Sequence, residues 1–168
     1  MGVTSIYEGW ARIQGRLINR LPSLGPGDLQ LRASPDGWPL WAMISHLAVV
    51  RVYWLCQVCG EPGAEATPFA DPGGDGWEDH LDVSRRSDEL LWAVQSSWKI
   101  VESSLERTTA AMLSDVFTRE REGRIQQRTR QSILTQLVMH DSFHVGEASA
   151  VLGMHGLEGL DPWAAASA

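Results

Sequence analysis

The chain is 168 residues long, with 43% hydrophobic residues, 21% charged residues and a formal net charge of -7. That length suits one domain able to bury its own core without disulfide staples, and the acidic balance argues against general affinity for nucleic acid or anionic membranes. No stretch approaches the roughly 20 apolar residues of a membrane span, and the first residues lack the basic-then-apolar layout of a signal peptide, so a cytoplasmic protein with no membrane partner is expected.

Ser5-Ile6-Tyr7-Glu8 has the form of a capping box, and Ile6, Trp10, Ile13, Leu17 and Leu21 follow at three- and four-residue intervals. A first amphipathic helix is expected from Ile6 to Leu21. Pro22 and Gly25-Pro26-Gly27 end it, and Ser34-Pro35-Asp36-Gly37 marks a turn ahead of Pro39, which suits the first position of a helix. Helix two should span Pro39 to Val58, with Leu40, Met43, Leu47, Val50 and Trp54 inward. His46 falls in its middle, on the same broad stripe or its edge, where periodicity supplies no packing reason for an imidazole. Cys56 and Cys59 form a Cys-x-x-Cys near the end of this helix. A redox motif of that spacing works at a helix start, where the dipole lowers the thiol pKa, so these two read as core thiols.

Residues 60–82 are rich in Gly, Pro, Ala and acidic side chains and lack periodicity. The stretch is too long for an ordinary connection, which leaves a mobile tether or a lid; Phe69 and Trp77 favour a lid that offers contacts to a ligand. His80, between Asp79 and Asp82, reads as an exposed loop histidine. Helix three is capped by Asp82 or Ser84 and carries Leu91, Val94, Trp98, Val101 and Leu105 as far as Arg107. In the arginine-rich link that follows, Val116-Phe117-Thr118 and Arg124-Ile125-Gln126 flank Glu122-Gly123, and a short hairpin fits as well as an irregular connection. Helix four begins between Thr129 and Ser132 and stops at Gly153 or Gly156. Residues 1–160 then form a single all-α domain, most economically a four-helix bundle with a long loop between helices two and three, followed by a flexible Ala-rich tail at 161–168.

The chemistry centres on helix four, where His140 and His144 stand four residues apart on one face with Ile133, Leu137, Ala148 and Val151. Imidazoles facing a core are either satisfied by hydrogen bonds or bound to a metal, for which neutral imidazole is the commonest protein ligand. His46 offers a third donor. Three protein ligands leave a coordination position for water or substrate, the arrangement of catalytic zinc. Glu147, three residues after His144 and seven after His140, shares their face and is open as a fourth ligand, an orienting carboxylate, a general base or a plain surface carboxylate. Tyr53, two turns beyond His46, is the second candidate for handling a proton in catalysis. Asp141 projects about 100° around the helix from His140 and reads as a surface or interhelical partner.

Gly37-Trp38-Pro39-Leu40 through His46-Leu47 and Tyr53-Trp54-Leu55, together with His140-x-x-x-His144-x-Gly146, resembles the DinB-like superfamily of four-helix bundles over nearly the whole chain. The resemblance implies a divalent metal, zinc or nickel, held by His46, His140 and His144. Members include thiol S-transferases that use mycothiol or bacillithiol and the mycothiol-dependent maleylpyruvate isomerase, so it also implies transfer of a low-molecular-weight thiol to an electrophilic small molecule, and a homodimer. Surplus aromatic surface from eight tryptophans points the same way on assembly. The chain departs from the frequent pattern at Phe143, where another polar or aromatic residue often precedes the second histidine, and at Glu147, where Gln commonly follows the glycine. Two other classes remain open: a non-catalytic bundle acting as sensor, carrier or sequestration protein, and a metal-water hydrolase.

Overall fold

A computed structural model describes residues 3–71 and 74–160. It contains helices α1 (Glu8–Arg20), α2 (Pro26–Leu29, a single turn), α3 (Leu40–Val52), α4 (Ser87–Arg107) and α5 (Arg130–Met154), and strands β1 (Val116–Arg121) and β2 (Arg124–Thr129). Four long helices were expected and four are present. The extra turn and the two-stranded antiparallel sheet are additions, so the chain is mostly helical and not all-α. The tail expected to be flexible lies outside the described residues.

Helix α3 is the spine. It packs against both α4 and α5, and from Leu40 to Val52 only His46 and Val50 escape burial. A π-helical turn, Tyr53–Val58, continues it. The stretch Leu40–Val58 is apolar and long enough to cross a membrane, closer to a span than its sequence reading allowed, but 67% of it is buried inside the protein, the pattern of a core helix. Helix α1 lays Trp10, Gln14 and Leu17 on this core. Its entry differs from expectation: residues Thr4–Tyr7 form a 3-10 turn, no capping side chain bonds there, and Ile6 is exposed. Buried Gln14 donates from Nε2 to the Val94 carbonyl at 3.1 Å, which explains a polar residue on an inward face.

Helix α4 starts at Ser87 and not at Asp82 or Ser84, because the Glu89 carboxylate accepts the Arg86 N–H at 3.0 Å and fixes the first turn there. The link to α5 resolves as a hairpin. Glu122 (φ 55°) and Gly123 (φ 71°) form its two-residue turn, with Arg121 paired to Arg124, and two positive φ angles in succession are what the twist of a tight hairpin requires. The hairpin is held down by cation–π contacts: the Arg119 guanidinium sits 4.2 Å from the Trp54 ring, and Arg130 4.9 Å from Phe117. Thr129 caps α5 by accepting the Ser132 N–H at 3.2 Å, and Gly156 (φ 74°) closes it, with Leu157 N–H returning to the Leu152 carbonyl at 3.0 Å.

Between α3 and α4, described residues pack on the core. Thr67, Phe69 and Glu78 are buried, Phe69 and Trp77 have ring centroids 5.3 Å apart, and the Arg85 guanidinium covers Trp77 at 4.4 Å. The two aromatics expected to meet a ligand pack on each other and on the core, so removing this segment would uncover apolar surface. Among the described tryptophans only Trp92 is exposed.

Candidate metal centre

Helices α3 and α5 bring His46, His140 and His144 together, with one ligating atom of each within 4.8 Å of the others. Their side chains are 25%, 20% and 13% exposed, so the cluster lies at the rim of the core and not inside it. The true buried stripe of α5 runs through Leu134, Leu137, Asp141, Val145 and Ala148, and the histidines occupy its flank. Asp141, read as a surface or interhelical partner, is the second: it is at 0% exposure between helices. Its Oδ2 accepts hydrogen bonds from Trp10 Nε1 and from Arg51 Nε at 2.8 Å, with Arg51 NH2 at 2.7 Å. This buried pair locks α3 to α5 and thereby sets His46 opposite His140.

Two of the three imidazoles meet a carboxylate at Nδ1, whereas His140 Nδ1 is buried with no hydrogen-bond partner among the described residues. His46 Nδ1 lies 2.8 Å from Glu78 Oε1, and His144 Nδ1 lies 2.7 Å from Glu147 Oε2. An ionised carboxylate only accepts, so Nδ1 carries the proton in both rings and Nε2 carries the lone pair. The Nε2 atoms of His46 and His140 face each other at 3.1 Å. Two nitrogens on a tetrahedral zinc with bonds of about 2.0–2.1 Å stand about 3.3 Å apart, close to this separation. Carboxylate behind the ring and bare nitrogen in front is the arrangement that orients a ligating histidine. The donor set therefore fits a divalent ion. Burial, then the neighbouring His140, pushes the His144 pKa below its ordinary value against the pull of Glu147, favouring the neutral form that ligates. Trp38 presses its edge on His46 at 4.9 Å between centroids, and Phe143 does so on His144 at 5.1 Å. Beside His140 a shallow groove of about 790 Å³ runs along α5 past Met139, Gln136, Ser132 and Arg128.

A sequence model of the DinB superfamily matches residues 10–148. The chain belongs to the DinB superfamily. Among solved structures, a DinB-like protein from Bacillus cereus is similar with a TM-score of 0.70 at 15% identity, covering 94% of this chain and 95% of that one. A conserved protein from Enterococcus faecalis is similar with a TM-score of 0.60 at 20% identity, covering 91% and 99%. At those identities the likeness is one of fold. No curated protein matches the chain.

Within this DinB-like chain the other candidate residues fall in different places. Glu147 holds the back of His144 and is not among the clustered donors, so its geometry is that of an orienting carboxylate. Tyr53 is not brought to the cluster: seven residues after His46, it is about 10 Å further along the helix, and its hydroxyl meets Arg119 NH1 at 3.4 Å. His80 is exposed and pairs with Asp75 at 3.5 Å. Burial raises the thiol pKa of Cys56 and of Cys59 to about 11, which agrees with core thiols and not with a redox pair. Sequence reasoning missed Glu78, for which a carboxylate in an aperiodic segment gave no signal, and left Asp141 open between a surface and an interhelical place.

Proposed function

We propose that this chain is a metal-dependent transferase that moves a low-molecular-weight thiol of the mycothiol type onto an electrophilic small molecule. The observation that carries the reading is the convergence of three imidazoles, with one ligating atom of each within 4.8 Å of the others, two of which have Nδ1 tied to a carboxylate and so carry the lone pair on Nε2. We read the four long helices as the four-helix bundle of the superfamily, with the ion, zinc or nickel, held by His46, His140 and His144 at its rim. A divalent ion there supplies the Lewis acidity that ionises a thiol which in water, at a pKa of about 8.5, is mostly protonated at neutral pH. The chain's own thiols cannot take that part, since both are held protonated by burial. Glu147, with its side chain 43% exposed, holds His144 through Oε2 and keeps Oε1 to take the proton released at the mouth. Trp38 and Phe143 flank the rings with apolar surface that keeps water from the reacting atoms.

The test joins composition to turnover. Purified protein should hold about one divalent ion per chain and convert electrophiles when mycothiol is supplied. X-ray absorption should gain a sulfur neighbour at about 2.3 Å for zinc when the thiol binds. A first shell that stays nitrogen and oxygen during turnover rejects thiolate delivery in favour of a metal-water hydrolase. Metal uptake and ligand binding with no turnover across the electrophile panel make it a carrier, sensor or sequestration protein.

A further inference from the structure

Glu78 reaches the site from outside the four long helices, on the 3-10 turn Trp77–Asp79. Only 6% exposed, it spends its two oxygens on consecutive residues of α3: Oε1 lies 2.8 Å from His46 Nδ1, and Oε2 accepts the Ser45 hydroxyl at 3.0 Å. The backbone is shaped to permit this. A Cβ at Gly76 would stand 2.4 Å from Glu78 Oε2 and 2.6 Å from its Cδ, so no side chain fits at position 76 while the carboxylate is folded back. Asp79 Oδ2 accepts the Gly76 N–H at 2.8 Å and closes the turn, and Trp77 is clamped between Phe69 and Arg85. Glu147 differs on each count, being on the same helix as its histidine, three residues away and half-exposed. Only Glu78 makes a ligand's orientation depend on the closure of a distant segment.

We propose that Glu78 is a positioning residue for the ion: it holds His46 in the tautomer and rotamer that present Nε2, and through it metal binding and the order of the 76–79 turn are coupled. This rests on the three-histidine metal reading. Coupling is reciprocal, so the factor by which the folded turn raises metal affinity is the factor by which the metal stabilises the turn.

The experiment uses the full chain and zinc. Affinity is measured by competition with a chromophoric chelator, exchange of the 76–79 amides with and without zinc, and the His46 tautomer from ring-nitrogen NMR shifts of zinc-free protein. Glu78→Ala should bind zinc about 10–100-fold more weakly. Glu78→Gln, whose amide oxygen still accepts from Nδ1, should lose less, and Gly76→Ala, which evicts the carboxylate, should match Glu78→Ala. In the wild type zinc should slow exchange at 76–79 and His46 should be the Nδ1–H tautomer; in Glu78→Ala exchange should ignore zinc and the tautomers should mix. Should Glu78→Ala fail to fold, Gly76→Ala and Glu78→Gln carry the same comparison. Equal zinc affinity and an unchanged His46 tautomer across the variants overturn the positioning role and leave the three-histidine site standing. Wild-type protein that takes up no zinc while His46 remains Nδ1–H overturns the metal reading, and the coupling with it.

Discussion

Arg51 and Asp141 are at 0% side-chain exposure in the seam between α3 and α5, whereas His46, His140 and His144, on the same two helices and within a few residues, stay 25%, 20% and 13% exposed. The two clusters use carboxylates in opposite ways. In the first, Asp141 faces its cation, takes the Trp10 indole N–H as well, and leaves Arg51 covered by the Trp98 ring at 5.4 Å. Charge is met by charge inside the core, although Arg51 NH1 and Asp141 Oδ1 have no hydrogen-bond partner among the described residues, and the outcome is a lock on helix register. In the second, Glu78 and Glu147 stand behind the rings, so the polarity of the imidazoles is turned toward a shared gap. One seam thus carries a closed polar contact that fixes where the helices sit and an open one that uses that placement.

Breaking the lock should give the largest effect. Asp141→Ala leaves a buried guanidinium unpaired, in a setting where NH1 already lacks a hydrogen-bond partner, and should destabilise metal-free protein by about 3–5 kcal/mol in urea unfolding. His46→Ala, at the rim, should cost about 1 kcal/mol or less under the same conditions. Arg51→Met combined with Asp141→Leu removes both charges and should recover most of the loss. Similar losses for Asp141→Ala and His46→Ala would erase the distinction between lock and site.

Next in size is the effect of metal. Zinc at about 100 times its Kd should stabilise the wild type by about 2.7 kcal/mol, read as a rise in the urea midpoint, and should do nothing for His46→Ala. The double variant Arg51→Met/Asp141→Leu sharpens the contrast. If the ion pair serves register alone, hydrophobic replacements that keep the helices aligned should preserve the zinc response; a folded double variant that ignores zinc would mean that the charges themselves tune the histidines.

The four long helices were legible because a 3.6-residue stripe of apolar side chains is a strong signal, and the His140–His144 spacing carried its geometry in the same way. Charged side chains were the harder case. Asp141 is the centre of the α5 stripe and Arg51 is buried in an almost wholly apolar helix, yet each looks like a surface residue until its partner, 90 positions away, is known. The stripe of Ile133, Leu137, Ala148 and Val151 is buried as read, and the histidines lie on its flank, less deep than that stripe implied. Glu78 was illegible for another reason: a turn closed by Asp79 and permitted by Gly76 has no period to read. The hairpin sat between these cases, with a clear Glu122-Gly123 turn signal but strands too rich in arginine and glutamine to alternate.

A third cluster, away from both lock and site, should give the smallest effect. Glu61, beyond the π-helical turn, has 10% side-chain exposure; its Oε1 accepts from Arg130 NH1 at 2.7 Å and its Oε2 from Arg107 NH2, so it ties α4 to the start of α5. Burial pushes its pKa up, but the hydrogen bonds from Arg107 and Arg130 outweigh burial and hold it below the ordinary value. A carboxyl depressed in the folded state stabilises the fold fully above its unfolded pKa of about 4.3, and that stabilisation is lost as pH falls through the folded value. Glu61→Gln should therefore cost on the order of 1 kcal/mol at pH 7, and the gap between variant and wild type should close as both are acidified towards pH of about 3. Urea unfolding across that range reads it directly. A gap that stays constant would show that Glu61 holds the helices by shape and neutral hydrogen bonding, leaving Arg51 and Asp141 as the charge-dependent tie.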